Sequence, residues 1–349
     1  ASSAASDVYK RQVYLISIDI FLFVVTFIIL IGILLVLLNM RVAENGTEVS
    51  IYQNQVSLQT PYNDNQGYHP KVISFKEKWH GYKYWMAYTP YPLADSSKEN
   101  PVINVSNDRK KWVNPDGVKN PLDIPYKINK KIYNSDTHLL YNEDNDTLEL
   151  FWRFVDDEQN KIIIYRMISK DGVNWNKKEV FLESDNRIKS DFVSPAIYYN
   201  DHKYHIWYVA KNSIYYFEKI GDHITAPEKI NVTFSKKMYP WHIDVIYNDT
   251  KEMYEMVLCS YDNIYDRSDM SLYYTSSKNN KEWTEAILIL EPSKIDENWD
   301  SKGLYRSSLI YEDGVYYLFY SGHDDKYNVG IGLASAKDIN YLRRIKTDK

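Results

Sequence analysis

From Ile20 to Leu38 the chain runs nineteen residues without a charge, IFLFVVTFIILIGILLVLL, and beyond Ala43 no stretch repeats that pattern. The run is apolar on every face and close to the roughly 20 residues a helix needs to cross a bilayer. It therefore predicts one N-terminal transmembrane helix, with flanks over 13–43, anchoring an extracytoplasmic domain to the membrane. A buried core helix is the alternative, but the run stands apart from everything after it. A cleaved signal peptide has a shorter apolar centre and a small-residue cleavage site. Arg41 alone bears on orientation, which is therefore left open. Residues 2–12, SSAASDVYKRQ, read codon by codon as a transposase-type sequencing-library adapter; residues 1–12 are set aside as an expected translation artefact.

After Ala43 there is no 3.6-residue period. Short apolar or aromatic segments alternate with Asn, Asp and Gly turns, as in an all-β domain. VISFKEKWHGYKYWMAY (72–88), HLLYNEDNDTLELFWRF (138–154), AIYYNDHKYHIWYVA (196–210), DVIYNDTKEMYEMVLCSY (244–261) and SLIYEDGVYYLFYSG (308–322) each read as a strand, a polar turn and an aromatic second strand. Their shared aromatics, Phe75, Tyr141, Tyr199, Tyr247 and Tyr311, recur at steps of 66, 58, 48 and 64 residues. A second repeat follows the hairpins: SNDRKKW (106–112), SKDGVNW (169–175), SSKNNKEW (276–283) and a worn SAKDINYL (335–342), with none in the third unit. These resemble the Asp-box turns of sialidase-like propellers, which mark a fold and carry no catalysis. Four-stranded units that cannot bury a face alone stack radially, so residues 44–349 are read as a five-bladed β-propeller. The segment GTEVSIYQNQVSL (46–58) is expected to close the ring; a β-sandwich is the alternative.

In a propeller the innermost strands start around the central axis at one face, where ligands bind. Five residues before each shared aromatic stand Pro70, Asp136, Ser194, His242 and Arg306, flanked by His69, His138, Trp241, Asp244 and Tyr305. The two-residue strand period places Asp136 with His138, and His242 with Asp244, on common faces. Loops expected at the same face bring Glu99, Asn100, Arg153, Asp262, Asp266, Arg267, His323, Asp324 and Asp325. A histidine before a proline is by itself more often a hydrogen-bonded structural group than a catalyst. Charged and polar groups at equivalent repeat positions are costly to bury unless they pair or bind something, so the column is read as a pocket, with a charge-paired plug as the alternative.

Composition narrows the classes. A net charge of −5 gives no general attraction for nucleic acid, and a lone cysteine, Cys259, permits no internal disulfide. The 33 tyrosines and 9 tryptophans suit strand packing and, at a site, sugar rings. There is no P-loop, dinucleotide glycine fingerprint or cysteine-rich zinc spacing.

On these repeats, over about residues 60–345, the chain resembles the five-bladed propeller glycoside hydrolases of families 43, 62, 32 and 130. In family 43 an Asp-Pro opens the first blade as general base, a second Asp-Pro tunes pKa, and a Glu in another blade is general acid. Here His69-Pro70, Ser194-Pro195 and Pro240-Trp241-His242 stand in those places. The family's catalytic set therefore does not carry over, and the resemblance implies a divergent carbohydrate-active propeller.

Glycoside hydrolysis needs two carboxyl groups, one protonated and one ionised. Asp136 and Asp244 are the expected pair, with Glu99 the rival acid. His69, His138 and His242, with Ser194 and Asn100, would tune them or bind hydroxyls. Arg306 and Arg153 would grip a carboxylate or phosphate, and Trp241 and Tyr305 would stack on a sugar. No cofactor is required by this reading, although the Asp and His groups could hold Ca²⁺ or a transition metal, which would make the enzyme metal-dependent. The competing reading is a membrane-anchored propeller that binds glycan without catalysis.

Overall fold

The computed structural model describes residues 23–27, 29–31, 54–184, 191–295 and 297–347. Residues 23–27 and 29–31 are helical and exposed; the rest of the Ile20–Leu38 run and residues 1–12 lie outside the described residues. No described helix is long and apolar enough to cross a membrane.

Beyond residue 53 the chain forms five antiparallel sheets, each a meander from an inner to an outer strand. Blade 1 comprises Gly67–Trp79, Tyr82–Pro90 and Val102–Ser106; blades 2, 3, 4 and 5 begin with inner strands Ile132–Asn142, Val193–Asn200, Tyr239–Asn248 and Gly303–Glu312. The apolar residues do not form one central core. They segregate into five main clusters, each drawn from two neighbouring blades: Trp85 with Trp152, Phe151 with Ile206, Trp207 with Met256, Leu272 with Leu318, and Phe319 with Met86 mark the seams. Each blade thus buries both faces against its neighbours, the geometry that radial stacking requires.

The Ser/Asp turns fold as the spacing predicts. Asp108 accepts hydrogen bonds from Lys110 N and Lys111 N, and Asp171 from Val173 N and Asn174 N, while Asn279 takes Lys281 N and Glu282 N. In each, the tryptophan Nε1 donates back to a turn carbonyl. The second turn places Gly172 (φ +71°) against Trp85 of blade 1, where a Cβ would lie 2.1 Å from the indole, so this corner locks one blade to the next. The fourth copy, at Asp338, caps a short 3-10 helix, Ile339–Tyr341.

Only part of the expected closing strand is described. Ser57–Leu58 pairs in parallel with Lys111–Trp112 at the outer edge of blade 1. The residues just before it reach blade 5, Val56 N donating to Ile331 O and Gln55 bridging Gly332. Asn54 holds Asp300, Tyr320 and Trp299 of the last blade.

All five inner strands shift register near their start: between Tyr68 and Lys71, Ser135 and His138, Val193 and Ala196, Pro240 and His242, and Leu304 and Ser307. These are β-bulges, which re-aim side chains by breaking the pleat. His69, Asp136 and Ser194 take left-handed φ of 53°, 49° and 53° there. The bulges align His69, Asp136, Ser194, Trp241 and Tyr305 as equivalent residues. A constant offset of five from the shared aromatic selects Pro70, His242 and Arg306 instead, one place out in three blades, because the bulges do not sit at a constant distance from that aromatic.

Candidate active site

At the bulge end of the axis lies a cavity of ≈ 340 Å³ to which every blade contributes, with His69, Glu99, Asp136, Arg153, His242 and Tyr305 among its walls. Its floor is a buried triangle. Asp136 Oδ1 faces His242 Nδ1 at 3.1 Å, His69 Nε2 at 4.0 Å and Arg306 Nη1 at 3.7 Å. The approach of His242 is close enough for a hydrogen bond but out of line for one, so Asp136 Oδ1, His69 Nε2 and both nitrogens of His242 are buried without a partner. One donor atom each from His69, Asp136 and His242 lies within 4.8 Å of the others.

The surroundings fix what these atoms present. His69 Nδ1 lies 3.0 Å from Thr89 Oγ1, whose own hydroxyl is oriented to Tyr68 O, and 3.4 Å from Glu99. A proton on Nδ1 satisfies that side and leaves the Nε2 lone pair on the triangle. Burial lowers the pKa of His69 to about 3, only partly countered by Asp136, and burial lowers His242 as well. Burial alone would raise Asp136, but His242, His69 and Arg306 override it and hold the carboxyl well below its ordinary range. Glu99 is the opposite case: burial, reinforced by the negative charge of Asp136, pushes it well above the carboxylate range despite Arg153. Burial thus favours the neutral form of both imidazoles and of Glu99, while the positive groups around Asp136 favour its ionised form.

That donor set fits a divalent transition metal: imidazole nitrogens with one carboxylate suit zinc, iron or nickel, whereas Ca²⁺ takes oxygen ligands. The buried atoms without partners are what a shared guest would satisfy.

Several sequence expectations take a different place. Asp244, two residues beyond His242, carries Lys71 Nζ at 2.6 Å and accepts Leu309 N at 3.0 Å, outside the cavity walls. His138 does not share a face with Asp136, because the bulge intervenes; its Nε2 meets the backbone of Ile197 in blade 3. Ser194 binds both the N–H and the carbonyl of Ile243 in blade 4. Asn100 accepts from Asn134 Nδ2, and Arg306 Nη2 donates to Pro195 O. Ser194 and His138 tie neighbouring inner strands together, Asn100 joins a blade 1 loop to blade 2, and Lys71 with Asp244 and Arg306 with Pro195 reach between blades that are not neighbours. The plug and the pocket, posed as alternatives, thus coexist in successive layers. Arg153 does line the cavity, its Nε donating to Asp191 O. Trp241 and Tyr305 form a wall joined by Trp241 Nε1 donating to Tyr305 Oη at 2.8 Å, and one face of the indole carries the guanidinium of Arg267 at 3.7 Å.

The sequence reading missed Tyr91, Ser96, Lys130, Tyr133 and Ser135 on the cavity wall, and Lys71 beneath it. Ser135 and Lys71 flank strand-start residues already singled out, which was the available signal; Tyr133 lies on the same inner strand as Asp136, and Tyr91, Ser96 and Lys130 come from loops without a repeat to align.

No family model matches the chain. A curated relative, the A type blood N-acetyl-α-D-galactosamine deacetylase of Flavonifractor plautii, is 29% identical over 300 residues, covering 72% of this chain and 38% of the relative. The crystal structure of an N-acetylgalactosamine deacetylase from F. plautii in complex with blood group B trisaccharide superposes with a TM-score of 0.74 at 22% identity, over 82% of this chain and 94% of that one. A GH43 protein from Bacillus licheniformis gives 0.58 at 12% identity, over 80% of this chain and 56% of that one. The chain thus carries a five-bladed β-propeller fold similar to that of these solved structures.

Proposed function

We propose that this propeller hydrolyses the N-acetyl group of an acetamido sugar in a glycan, using His69, Asp136 and His242 to hold a divalent cation. The observation that carries the reading is the buried triangle of partnerless donor atoms, which a glycosidase has no need of. The name of the curated relative supports the choice of an acetamide.

A cation bound there would polarise the acetyl carbonyl and make water a stronger nucleophile. The chain's own groups supply the rest. Water oxygen bonds to the carbonyl carbon, the C–N bond breaks, and one water proton passes to the leaving amine. Glu99, beside His69, is the carboxyl placed to carry that proton. Positive charge beside Asp136 would oppose one of the causes that raise the Glu99 pKa. Arg153 faces the cavity as a donor for oxygen charge, and Tyr305 with Trp241 excludes water on the blade 4–5 side.

A second reading keeps one specific support: a Glu99 pushed toward its neutral form and an Asp136 held toward its ionised form are also the pairing that glycoside hydrolysis requires. One experiment separates them. The protein is incubated with N-acetylated and non-acetylated glycans, and acetate and reducing sugar are measured before and after chelation. Acetate release that chelator abolishes and Zn²⁺ or Mn²⁺ restores supports the deacetylase. Chelator-insensitive release of reducing sugar would replace it with the glycosidase, and glycan binding without either product would leave a binding module.

A further inference from the structure

The wall of Tyr91, Trp241 and Tyr305 has a second side. Beyond it lies another cavity of ≈ 280 Å³, which shares those three residues and adds Tyr265, Arg267 and Tyr327. Both volumes sit near the lower end of the roughly 300–1,000 Å³ typical of ligand cavities, so each suits one small ring and the two together suit a pair of linked rings.

The second compartment is furnished for a sugar. Tyr265 is 92% exposed and Tyr327 48% exposed at its mouth, Tyr327 stacking on His323 at 5.1 Å. Aromatic rings held at the surface beside an opening offer flat apolar area with a polar edge, the combination a pyranose presents in return. Inside, Arg267 lies over the Trp241 ring at 3.7 Å and 5.4 Å from that of Tyr261. Two acids of its loop pair elsewhere, Asp262 with Lys236 and Asp269 with Lys302, while Asp266 accepts Ser268 N through Oδ1. Stacking pre-orders the guanidinium and leaves its fork of N–H donors available in the plane. With the Asp266 carboxylate on the same wall, the compartment offers donors and an acceptor to neutral hydroxyls rather than a single-sign field to an ion.

We propose that this compartment is the subsite for the sugar linked to the one being deacetylated, so that the substrate is a di- or oligosaccharide and Tyr265 and Arg267 read its second ring. The inference rests on the function proposed above, since it takes the first cavity as the reacting site. It assigns the blade 4 loop, 262–270, to specificity rather than to catalysis.

The test compares the methyl glycoside of N-acetylgalactosamine with a disaccharide of N-acetylgalactosamine linked to galactose, on the full chain and its Arg267→Ala and Tyr265→Ala variants. The reading is the ratio of kcat/KM for disaccharide over monosaccharide. It is expected to exceed ten in the wild type and to fall about tenfold in each variant, through KM. A ratio near one, or a ratio unchanged by both substitutions, overturns the subsite and leaves the deacetylase intact. If neither compound is hydrolysed, the function is what has failed, and calorimetric binding of the disaccharide decides the subsite: tenfold weaker binding to Arg267→Ala sustains it, and equal binding removes it.

Discussion

At the scale of single residues, Thr89 has the largest leverage for its size. Its hydroxyl is the neutral partner that keeps the His69 proton on Nδ1 and so aims Nε2 at Asp136. Outer partners of metal-binding imidazoles contribute about 10–100-fold in affinity. Thr89→Val, nearly the same shape, is therefore expected to weaken Zn²⁺ or Mn²⁺ binding by that factor with little change in Tm, measured by metal titration; unchanged affinity would show that His69 is not a ligand. A different carboxylate tests stability against pH. Asp171 is held well below its ordinary pKa by the Asn174 backbone N–H and side chain, with further turn hydrogen bonds. A group whose folded pKa is depressed stabilises above its unfolded value, near 3.9, and loses that contribution as pH falls through the folded one. Because the turn is largely solvated, Asp171→Ala is expected to cost only about 1 kcal/mol, constant above about pH 5 and shrinking below pH 4. Asp171→Asn should restore most of it, since Asn279 fills the same role in blade 4. Urea midpoints across pH 2.5–7 decide the point.

At the scale of elements, the inner strands do two jobs in two layers. The bulge layer turns His69, Asp136, Trp241 and Tyr305 toward the cavity, and the layer beyond it ties blade to blade through Ser194, His138, Asp244 and Ser308, the last accepting Val72 N. Lys71 belongs to the second layer. Its pairing with Asp244 is buried, and removing one partner of such a pair costs about 3–5 kcal/mol because the other charge is stranded. Lys71→Met should destabilise by that amount in denaturant titrations without altering metal affinity; a loss of metal binding at full stability would instead place Asp244 in the site.

This division also explains what could be read in advance. Hairpins, turns and their tryptophans repeat in sequence, so blade count and Asp-box corners were legible from local pattern. Asp136, His69 and His242 fall near strand starts, and the structure brings them together at the cavity. Asp244 and His138 lie outside the cavity walls because every blade breaks its strand alternation at the bulge. Bulges leave no mark in the apolar pattern, and the loop residues Tyr91, Ser96 and Lys130 reach the cavity only through tertiary contacts.

At the scale of the molecule, the ring is shut by few residues. Val56 and Leu58 are buried between blades 5 and 1, and the backbone around them pairs with both. Leu58→Ala is expected to cost about 2–5 kcal/mol, and to expose the blade 5–1 seam to proteolysis before the other four. A uniform digestion pattern, or a loss under 0.5 kcal/mol, would show that the seam is held by the blade faces alone.

The repeated bulge has a consequence for how such a ring can change its chemistry. The third blade's bulge residue, Ser194, ties its strand to blade 4, whereas each of the other four blades turns toward the cavity a residue that stands outside its own ladder. Replacing one such residue therefore alters the reagent without altering the vessel. Four such letters, here His, Asp, Trp and Tyr, specify what the axis can do. Two propellers can then be nearly superposable and still perform different reactions.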